Sequence, residues 1–252
     1  MSAASDAPGG AALRLERAAT VDALAERVAA RVIAVCRARQ EAGAVPCVVL
    51  TGGSMGRASL LGIAAHAERD SVDWSRVRVL WGDERWVPAG HEERNDRLAD
   101  ELLFPHVEVD PAFIHRVPGS DSGLTLDEAA AQYAVAVDRA GRIDVALNGV
   151  GPDGHLCSLF PGRADLLVDG PDAPAAMVVR DSPKPPPERV TLTLPAVRRA
   201  DRVWLLAAGA EKAEAVARIV RPDADDPLPA ARVHGRDETV LWVDAAAGLA
   251  PA

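Results

Sequence analysis

Cysteine, lysine and aromatic residues are scarce in this 252-residue chain. The three cysteines are odd in number and form no CxxC pair, which argues against a disulfide framework and suits a reducing compartment. No apolar run approaches the roughly 18 residues of a membrane span. The first residues also lack the basic and then apolar pattern of a secretory signal. We therefore expect a cytoplasmic protein without a membrane partner.

Positive charge is carried almost entirely by arginine, because only Lys184 and Lys212 among the 28 basic residues are lysines. The formal net charge is −9, whereas proteins that bind nucleic acids or acidic membranes generally have a clustered basic surface. We expect neither kind of partner. A small anionic substrate remains compatible with this charge, because a few cations can make a local pocket positive.

Length and composition are compatible with one large α/β domain, since hydrophobic residues make up 48% of the chain. We divide the chain into a flexible N-terminal segment at 1–12, a single domain at 13–246 and a tail at 247–252. The Pro-rich stretches 182–187 and 221–229 are predicted to be surface loops. We expect a monomer or a small homo-oligomer.

Strand-like apolar runs alternate with amphipathic helical segments along the chain. Thr20 precedes a helical pattern as a potential N-cap, and Thr125 with Glu128 has the spacing of a capping box. This alternation predicts a mostly parallel sheet with helices on both faces. Strands are predicted at 46–50, 76–81, 144–147, 189–194, 202–208 and 239–243, and helices at about 21–36, 56–67, 95–103, 125–140 and 210–220.

The first candidate site is the turn Thr51-Gly52-Gly53-Ser54, between a predicted strand and a predicted helix. Glycines let the backbone approach an anion closely, and the free N–H groups of a helix N-terminus attract negative charge. Two interpretations stay open. The turn is either a phosphate site or a tight connection in which Ser54 caps the helix.

Charged residues follow the predicted strand that ends at Trp81. Ligands of open parallel sheets bind beyond the carboxyl ends of strands, and Asp83 and Arg85 would lie there. Arg85 could clamp a phosphate or carboxylate with two hydrogen bonds. Alternatively, Asp83 and Arg85 could form an ion pair that braces the loop.

A Gly-rich segment at 149–155 formally matches the dinucleotide motif G-x-G-x-x-G. That motif should open a long helix, but Pro161 and Gly162 stop any helix within about two turns. We interpret the segment as a loop that presents Asp153 and His155, and histidine suits acid–base chemistry near neutral pH. A structural histidine and an NAD(P)-dependent oxidoreductase are the alternatives. No third ligand for a metal ion is evident.

Two further cations are candidates for binding an anion. Arg189 begins an alternating strand, and Lys212 falls in the first turn of a predicted helix. A cation is unfavourable at that end of a helix unless an anion lies nearby, although a solvated surface lysine is the alternative. A serine hydrolase is not indicated, because neither Ser54 nor Ser158 has the G-x-S-x-G setting.

Five segments, in this order, resemble the 6-phosphogluconolactonases. They are TGGS (51–54), LWGDERWVP (80–88), GVGPDGHLCSLFPG (149–162), RVTLTLP (189–195) and AAGAEKA (207–213). The resemblance implies an α/β fold with a Rossmann-like open, mostly parallel sheet. This is the fold class of glucosamine-6-phosphate deaminases, ribose-5-phosphate isomerases and CoA transferases.

The resemblance also implies hydrolysis of 6-phospho-D-glucono-1,5-lactone to 6-phosphogluconate in the oxidative pentose phosphate pathway, without a cofactor or an essential metal. The catalytic histidine of the family corresponds to His155, and Asp153 or Asp83 would orient the imidazole or the water. The contacts to phosphate and sugar would be made by Gly52, Gly53, Ser54, Arg85, Arg189 and Lys212.

The sequence departs from the family pattern at Asn148, where an apolar residue is usual, and at Cys157, where a small residue is common. A deaminase acting on glucosamine 6-phosphate is the closest alternative, but those enzymes carry an acidic residue shortly after the histidine. Here the segment 158–160 is Ser-Leu-Phe, without a carboxylate. A sugar-phosphate-binding regulator without activity is a further alternative.

Overall fold

The computed structural model describes residues 10–248 of the chain. Its strands are β1 (Leu13–Ala18), β2 (Cys47–Leu50), β3 (Arg78–Trp81), β4 (Asp83–Arg85), β5 (Ile143–Gly149), β6 (Ala176–Val179), β7 (Arg189–Leu192), β8 (Ala200–Ala207) and β9 (Glu238–Asp244). Its α-helices are α1 (Val21–Glu41), α2 (Gly53–Ala65), α3 (Asn95–Leu102), α4 (Leu126–Ala140), α5 (Leu194–Arg198) and α6 (Ala213–Val220).

Six parallel strands form the central sheet in the order β1-β9-β8-β5-β2-β3. Strand β2 and the segment 203–207 of β8 are continuous apolar runs, as expected for strands buried on both faces. One core cluster packs α1, α2 and α3 against one face, and the second packs α4, α5 and α6 against the other. The prediction of a mostly parallel sheet covered on both faces is confirmed.

A small antiparallel sheet lies beside the central one, with the strand order β4-β7-β6. The predicted strand at 189–194 belongs to this sheet and ends at Leu192, because the hydroxyl of Thr193 caps α5. Asp83–Arg85 was predicted as a loop but pairs with β7, so that Arg85 lies opposite Arg189. Strands β1, β4 and β6 were not predicted.

The predicted helix caps at Thr20 and Thr125 are confirmed. Thr20 accepts a hydrogen bond from the Ala23 amide at 3.2 Å, and Thr125 forms the full capping box with Glu128. Helix α2 begins at Gly53, three residues earlier than predicted. Gly52 is its N-cap residue, so the alternative that Ser54 caps this helix is wrong.

The predicted domain at 13–246 begins where β1 begins, and its last strand ends at Asp244. Of the predicted terminal segments, residues 1–9 and 249–252 lie outside the described residues. Across the part of the chain that the structure describes, no helix combines the length and the apolar character needed to cross a membrane.

Candidate active site

A cavity of about 280 Å³ opens at the carboxyl ends of β2 and β5. This is the edge at which parallel α/β sheets bind ligands. Every predicted site residue except Asp153 lines it, so segments far apart in the sequence converge here. These lining residues are Gly52, Gly53, Ser54, Asp83, Arg85, His155, Arg189 and Lys212, joined by residues that were not predicted, among them Asn95, Cys157, Lys184 and Pro185.

The Gly-rich turn presents the N-terminus of α2 to this cavity. Thr51 Oγ1 accepts a hydrogen bond from the Gly149 amide at 3.1 Å, which ties the turn to the end of β5. Gly53 has a φ of 70°, in the region that favours glycine. Within residues 10–248, no side chain caps α2. Its first amides are therefore available to an anion.

Gly52 is required by close packing, because a Cβ atom there would overlap the Oδ1 atom of Asn95. Asn95 is buried and cannot swing aside freely, since its Nδ2 atom donates to the Asp83 carbonyl at 2.9 Å. We therefore expect Gly52→Ala to destabilise the fold by about 1–3 kcal/mol, as overpacking does. Thermal unfolding measures this loss.

Gly170→Ala is the matched control for this prediction. A Cβ atom at Gly170 would meet nothing within 4 Å, so this variant should unfold close to the wild-type temperature. If the two alanine variants unfold at the same temperature, the close packing of Gly52 against Asn95 does not constrain the turn.

His155 and Asp153 form a side-chain pair at the tip of the second Gly-rich loop. His155 Nδ1 contacts Asp153 Oδ1, and the loop is closed by a hydrogen bond from the Gly151 amide to the His155 carbonyl at 2.8 Å. Burial disfavours the charged form of Asp153, but the hydrogen bond and charge of His155 outweigh burial and lower its pKa. With Nδ1 engaged, Nε2 is the ring nitrogen left for a ligand.

Asp83 is held in a different set of contacts. Its Oδ2 atom accepts a hydrogen bond from Ser158 Oγ at 2.6 Å and lies 3.8 Å from Arg189 Nη1. Its Oδ1 atom accepts from Asn95 Nδ2 at 3.2 Å. Of the two candidate carboxylates, Asp153 and not Asp83 contacts the imidazole of His155.

Arg85 lines the cavity, and not all of its N–H groups have a hydrogen-bond partner among the described residues. Its Nη1 atom donates to the Glu93 carbonyl, whereas its Nε atom is buried without a partner among the described residues. The suggested ion pair between Asp83 and Arg85 does not form in this part of the chain, where Arg189 is the cation nearest to Asp83. Arg85 can therefore donate to a ligand.

A buried carboxylate that was not predicted as functional supports this wall. Glu84 is 1% exposed and accepts hydrogen bonds from the amides of Asn95 and Asp96 at 2.7 and 2.9 Å, at the start of α3. Arg94 binds Asp96 through two hydrogen bonds of 2.9 and 2.7 Å and lies 3.8 Å from Glu84. Burial and the Asp96 charge raise the pKa of Glu84, against the opposing effect of Arg94 and the two amides.

Lys212 lies in a 3-10 turn that begins after Gly209 and leads into α6. Burial lowers the pKa of Lys212, and the positive charge of Lys184 lowers it further, whereas Glu211 and Asp153 oppose this shift. Lys184 was predicted only as part of a Pro-rich surface loop, yet it lines the same cavity. No local pattern in the sequence indicated this position.

The two departures from the family pattern, Asn148 and Cys157, contact each other at the cavity wall, which Cys157 lines. Cys157 Sγ lies 3.5 Å from Asn148 Oδ1, and Asn148 Nδ2 donates to the Ala146 carbonyl at 3.0 Å. Burial raises the pKa of the Cys157 thiol, so this side chain is a neutral packing group. In the stretch from residue 10 to residue 248, no group of three His, Cys, Asp or Glu side chains is placed to hold a metal ion.

The fold and the site together define an α/β protein of the open parallel-sheet class, with a polar cavity at the carboxyl edge of the sheet. The model of the family described as glucosamine-6-phosphate isomerases/6-phosphogluconolactonase matches residues 19–242. The chain belongs to this family.

Individual relatives agree with that membership. The chain is 41% identical over 235 residues to a 6-phosphogluconolactonase of Streptomyces coelicolor, covering 89% of each sequence. It is 42% identical over 214 residues to that of Mycobacterium tuberculosis, covering 80% of this chain and 84% of the relative. The solved 6-phosphogluconolactonase of Thermotoga maritima superposes with a TM-score of 0.80 at 26% identity, over 92% of this chain and 100% of that one.

Proposed function

We propose that this chain is a 6-phosphogluconolactonase, which hydrolyses 6-phospho-D-glucono-1,5-lactone to 6-phospho-D-gluconate in the oxidative pentose phosphate pathway. One observation carries the proposal. His155, paired with Asp153, lies in the same cavity as the cations Arg85 and Lys212 and the uncapped N-terminus of α2. Membership of the family and 41% identity to a 6-phosphogluconolactonase support lactone hydrolysis.

His155 is proposed as the general base. Its Nε2 atom takes a proton from a water molecule, and the oxygen of that water attacks C1 of the lactone. The bond between C1 and the ring oxygen then breaks, and the imidazolium returns the proton to the departing oxygen. Asp153 fixes the imidazole through Nδ1 and stabilises the imidazolium. Each proton transfer is worth on the order of 10²–10⁴ in rate.

The remaining groups of the cavity are proposed to hold the substrate. The amides of Gly53 and Ser54 and the Ser54 hydroxyl face an anion at the start of α2. Arg85 contributes its guanidinium group, and Lys212 its ammonium group. Binding energy from the remote phosphate then positions the lactone carbonyl at the reacting groups. Asp83 contacts Ser158 and Asn95, and we assign it a positioning role.

A direct comparison of two substrates tests the proposed function. The purified protein is offered 6-phosphogluconolactone, generated in situ, and separately glucosamine 6-phosphate, with ammonia release as the second readout. We expect lactone hydrolysis above the spontaneous rate and no ammonia, because the loop after His155 carries no carboxylate at 158–160. Ammonia release without lactone hydrolysis would instead indicate a deaminase.

Lys212→Ala is expected to raise KM for the lactone about tenfold or more, because a charged hydrogen bond to the phosphate is lost. The value of kcat should change much less, since Lys212 does not contact the proposed base. Steady-state kinetics separate the two constants. An unchanged KM would indicate that Lys212 is a solvated lysine without contact to the substrate.

Activity is expected to persist in EDTA. In the proposed chemistry His155 activates the water and placed cations bear the negative charge, so no step is assigned to a metal ion. The measurement is the initial rate after prolonged dialysis against the chelator. A loss of activity that a divalent ion restores would contradict this mechanism.

A further inference from the structure

The only two lysines of the chain lie at the same cavity. Lys212 directly precedes α6, and Lys184 lies in the loop 182–187 that precedes β7. Both lysine side chains line the cavity wall, and the positive charge of Lys184 helps to lower the pKa of Lys212 and of Asp153. Among residues 10–248, no carboxylate lies within ion-pair distance of Lys184. Two neighbouring ammonium groups repel each other unless an anion binds between them.

Arg189 fixes the loop that carries Lys184 through hydrogen bonds to its backbone. The guanidinium donates to the carbonyls of Lys184 at 2.8 Å, Pro185 at 3.2 Å and Pro186 at 3.1 Å. Its Nη1 atom also donates to Ser158 Oγ at 3.3 Å. These contacts fix the backbone of the loop directly behind the Lys184 side chain.

Arg189 consequently has little capacity left for a ligand. A guanidinium has five N–H donors, and four of them are used in these contacts, while Asp83 lies 3.8 Å from Nη1. The residue is 4% exposed. Lys184, by contrast, has an exposed side chain at the cavity and three free donors.

We propose that Lys184 is a second lysine ligand of the phosphate group of the substrate, facing Lys212, and that Arg189 is a positioning residue for Lys184. The inference rests on the proposed function, because it adds a contact to that same site. A phosphate monoester dianion between two ammonium groups is bound by charge-assisted hydrogen bonds from both sides. It also removes the repulsion between Lys184 and Lys212. In this proposal Arg189 acts through Lys184, in place of the predicted contact between Arg189 and the substrate.

Binding and turnover of three variants test the proposal: Lys184→Ala, Arg189→Lys and the double variant. Calorimetry with 6-phosphogluconate and with inorganic phosphate measures affinity, and steady-state kinetics with the lactone give KM and kcat. Lys184→Ala should weaken both ligands and raise KM about tenfold or more, with little change in kcat. Arg180→Ala removes a charge from an exposed position just before the loop, where Arg180 contacts Asp127, and should behave as wild type.

Arg189→Lys keeps the positive charge but loses the guanidinium group that donates to three carbonyls of the loop. The loop then no longer holds Lys184 in place, so KM should also rise. If Arg189 acts through Lys184, adding Arg189→Lys to Lys184→Ala produces little further loss, and the two effects are not additive. Fully additive effects would show that Arg189 contacts the substrate independently and would overturn its positioning role. Circular dichroism and thermal unfolding confirm that each variant is folded.

Two other outcomes would overturn the assignment of Lys184. One is an unchanged affinity for both ligands in Lys184→Ala. The other is weaker binding of 6-phosphogluconate with unchanged binding of inorganic phosphate, since Lys184 would then contact the carboxylate end of the ligand. The calorimetric result stands apart from turnover. A wild-type protein that binds phosphate through Lys184 but does not hydrolyse the lactone would contradict the proposed function and leave this inference supported.

Discussion

His155→Ala is expected to lower kcat for hydrolysis of 6-phosphogluconolactone by about 10²–10⁴-fold. The variant loses the nitrogen that takes the proton from water and returns it to the ring oxygen. The helix N-terminus, Arg85 and Lys212 are untouched, so 6-phosphogluconate should still bind. Steady-state kinetics with subtraction of the spontaneous rate measure the loss, and calorimetry measures the affinity for the product.

His106→Ala is the matched control, because His106 is an exposed histidine in a short 3-10 turn and does not line the cavity. It should retain the wild-type kcat. Asp153→Asn separates the base from its partner: the amide still orients the ring but cannot stabilise the imidazolium, so kcat should fall less than in His155→Ala. Near-normal turnover in His155→Ala would remove this histidine from the mechanism.

Arg94→Leu is expected to have the largest effect on stability. The guanidinium is 3% exposed and lies among the carboxylates of Glu84 and Asp96. Asp96 keeps Arg116 at 3.4 Å, but the buried Glu84 is left without a cation within ion-pair distance among the described residues, and such a loss typically costs about 3–5 kcal/mol. For a domain of this size the unfolding temperature should fall by roughly 10 °C. Thermal unfolding followed by circular dichroism measures the change.

Arg97→Leu on the same helix is the control. Arg97 pairs with Glu101 at the surface, and such pairs contribute about 0–1 kcal/mol. A small effect there and a large one at Arg94 would show that the buried network anchors β4 to α3, and with it Asp83, Arg85 and Asn95. Equal unfolding temperatures for the two variants would contradict this account of the cavity wall.

Features with a strong local signal could be predicted from the sequence. The buried parallel strands contain short apolar runs, and the caps at Thr20 and Thr125 follow from a hydroxyl placed before a periodic segment. The Gly-rich loops could be located because glycines between a strand and a helix are a local pattern. The mostly parallel sheet and the family follow from these features and are confirmed.

Features that depend on tertiary contacts could not be predicted. Strand β4 consists of three charged residues, Asp83–Arg85, and pairs only because β7 lies beside it. A strand alternates its side chains, so Glu84 is directed toward α3 while Asp83 and Arg85 line the cavity. That alternation was the one available signal for the buried role of Glu84, and it is meaningful only once the segment is known to be a strand.

The candidate site shows the same limit. Both Asp83 and Asp153 follow strands that end at the same edge, and only the geometry shows that Asp153 contacts His155. The scarcity of lysine drew attention to Lys212, but Lys184 lies in a Pro-rich loop with no motif of its own. Its place at the cavity follows from the hydrogen bonds of Arg189 to the backbone of that loop. Contacts of this kind depend on the folded structure, so no local sequence pattern predicts them.

The most direct measurement is the initial rate of 6-phosphogluconate formation at several concentrations of the purified protein. The lactone is generated in situ from glucose 6-phosphate, and the rate in buffer alone is recorded in parallel, because δ-lactones open unaided. We expect a rate that rises in proportion to protein concentration, well above the spontaneous rate. A rate equal to that in buffer at every protein concentration would contradict the proposed function.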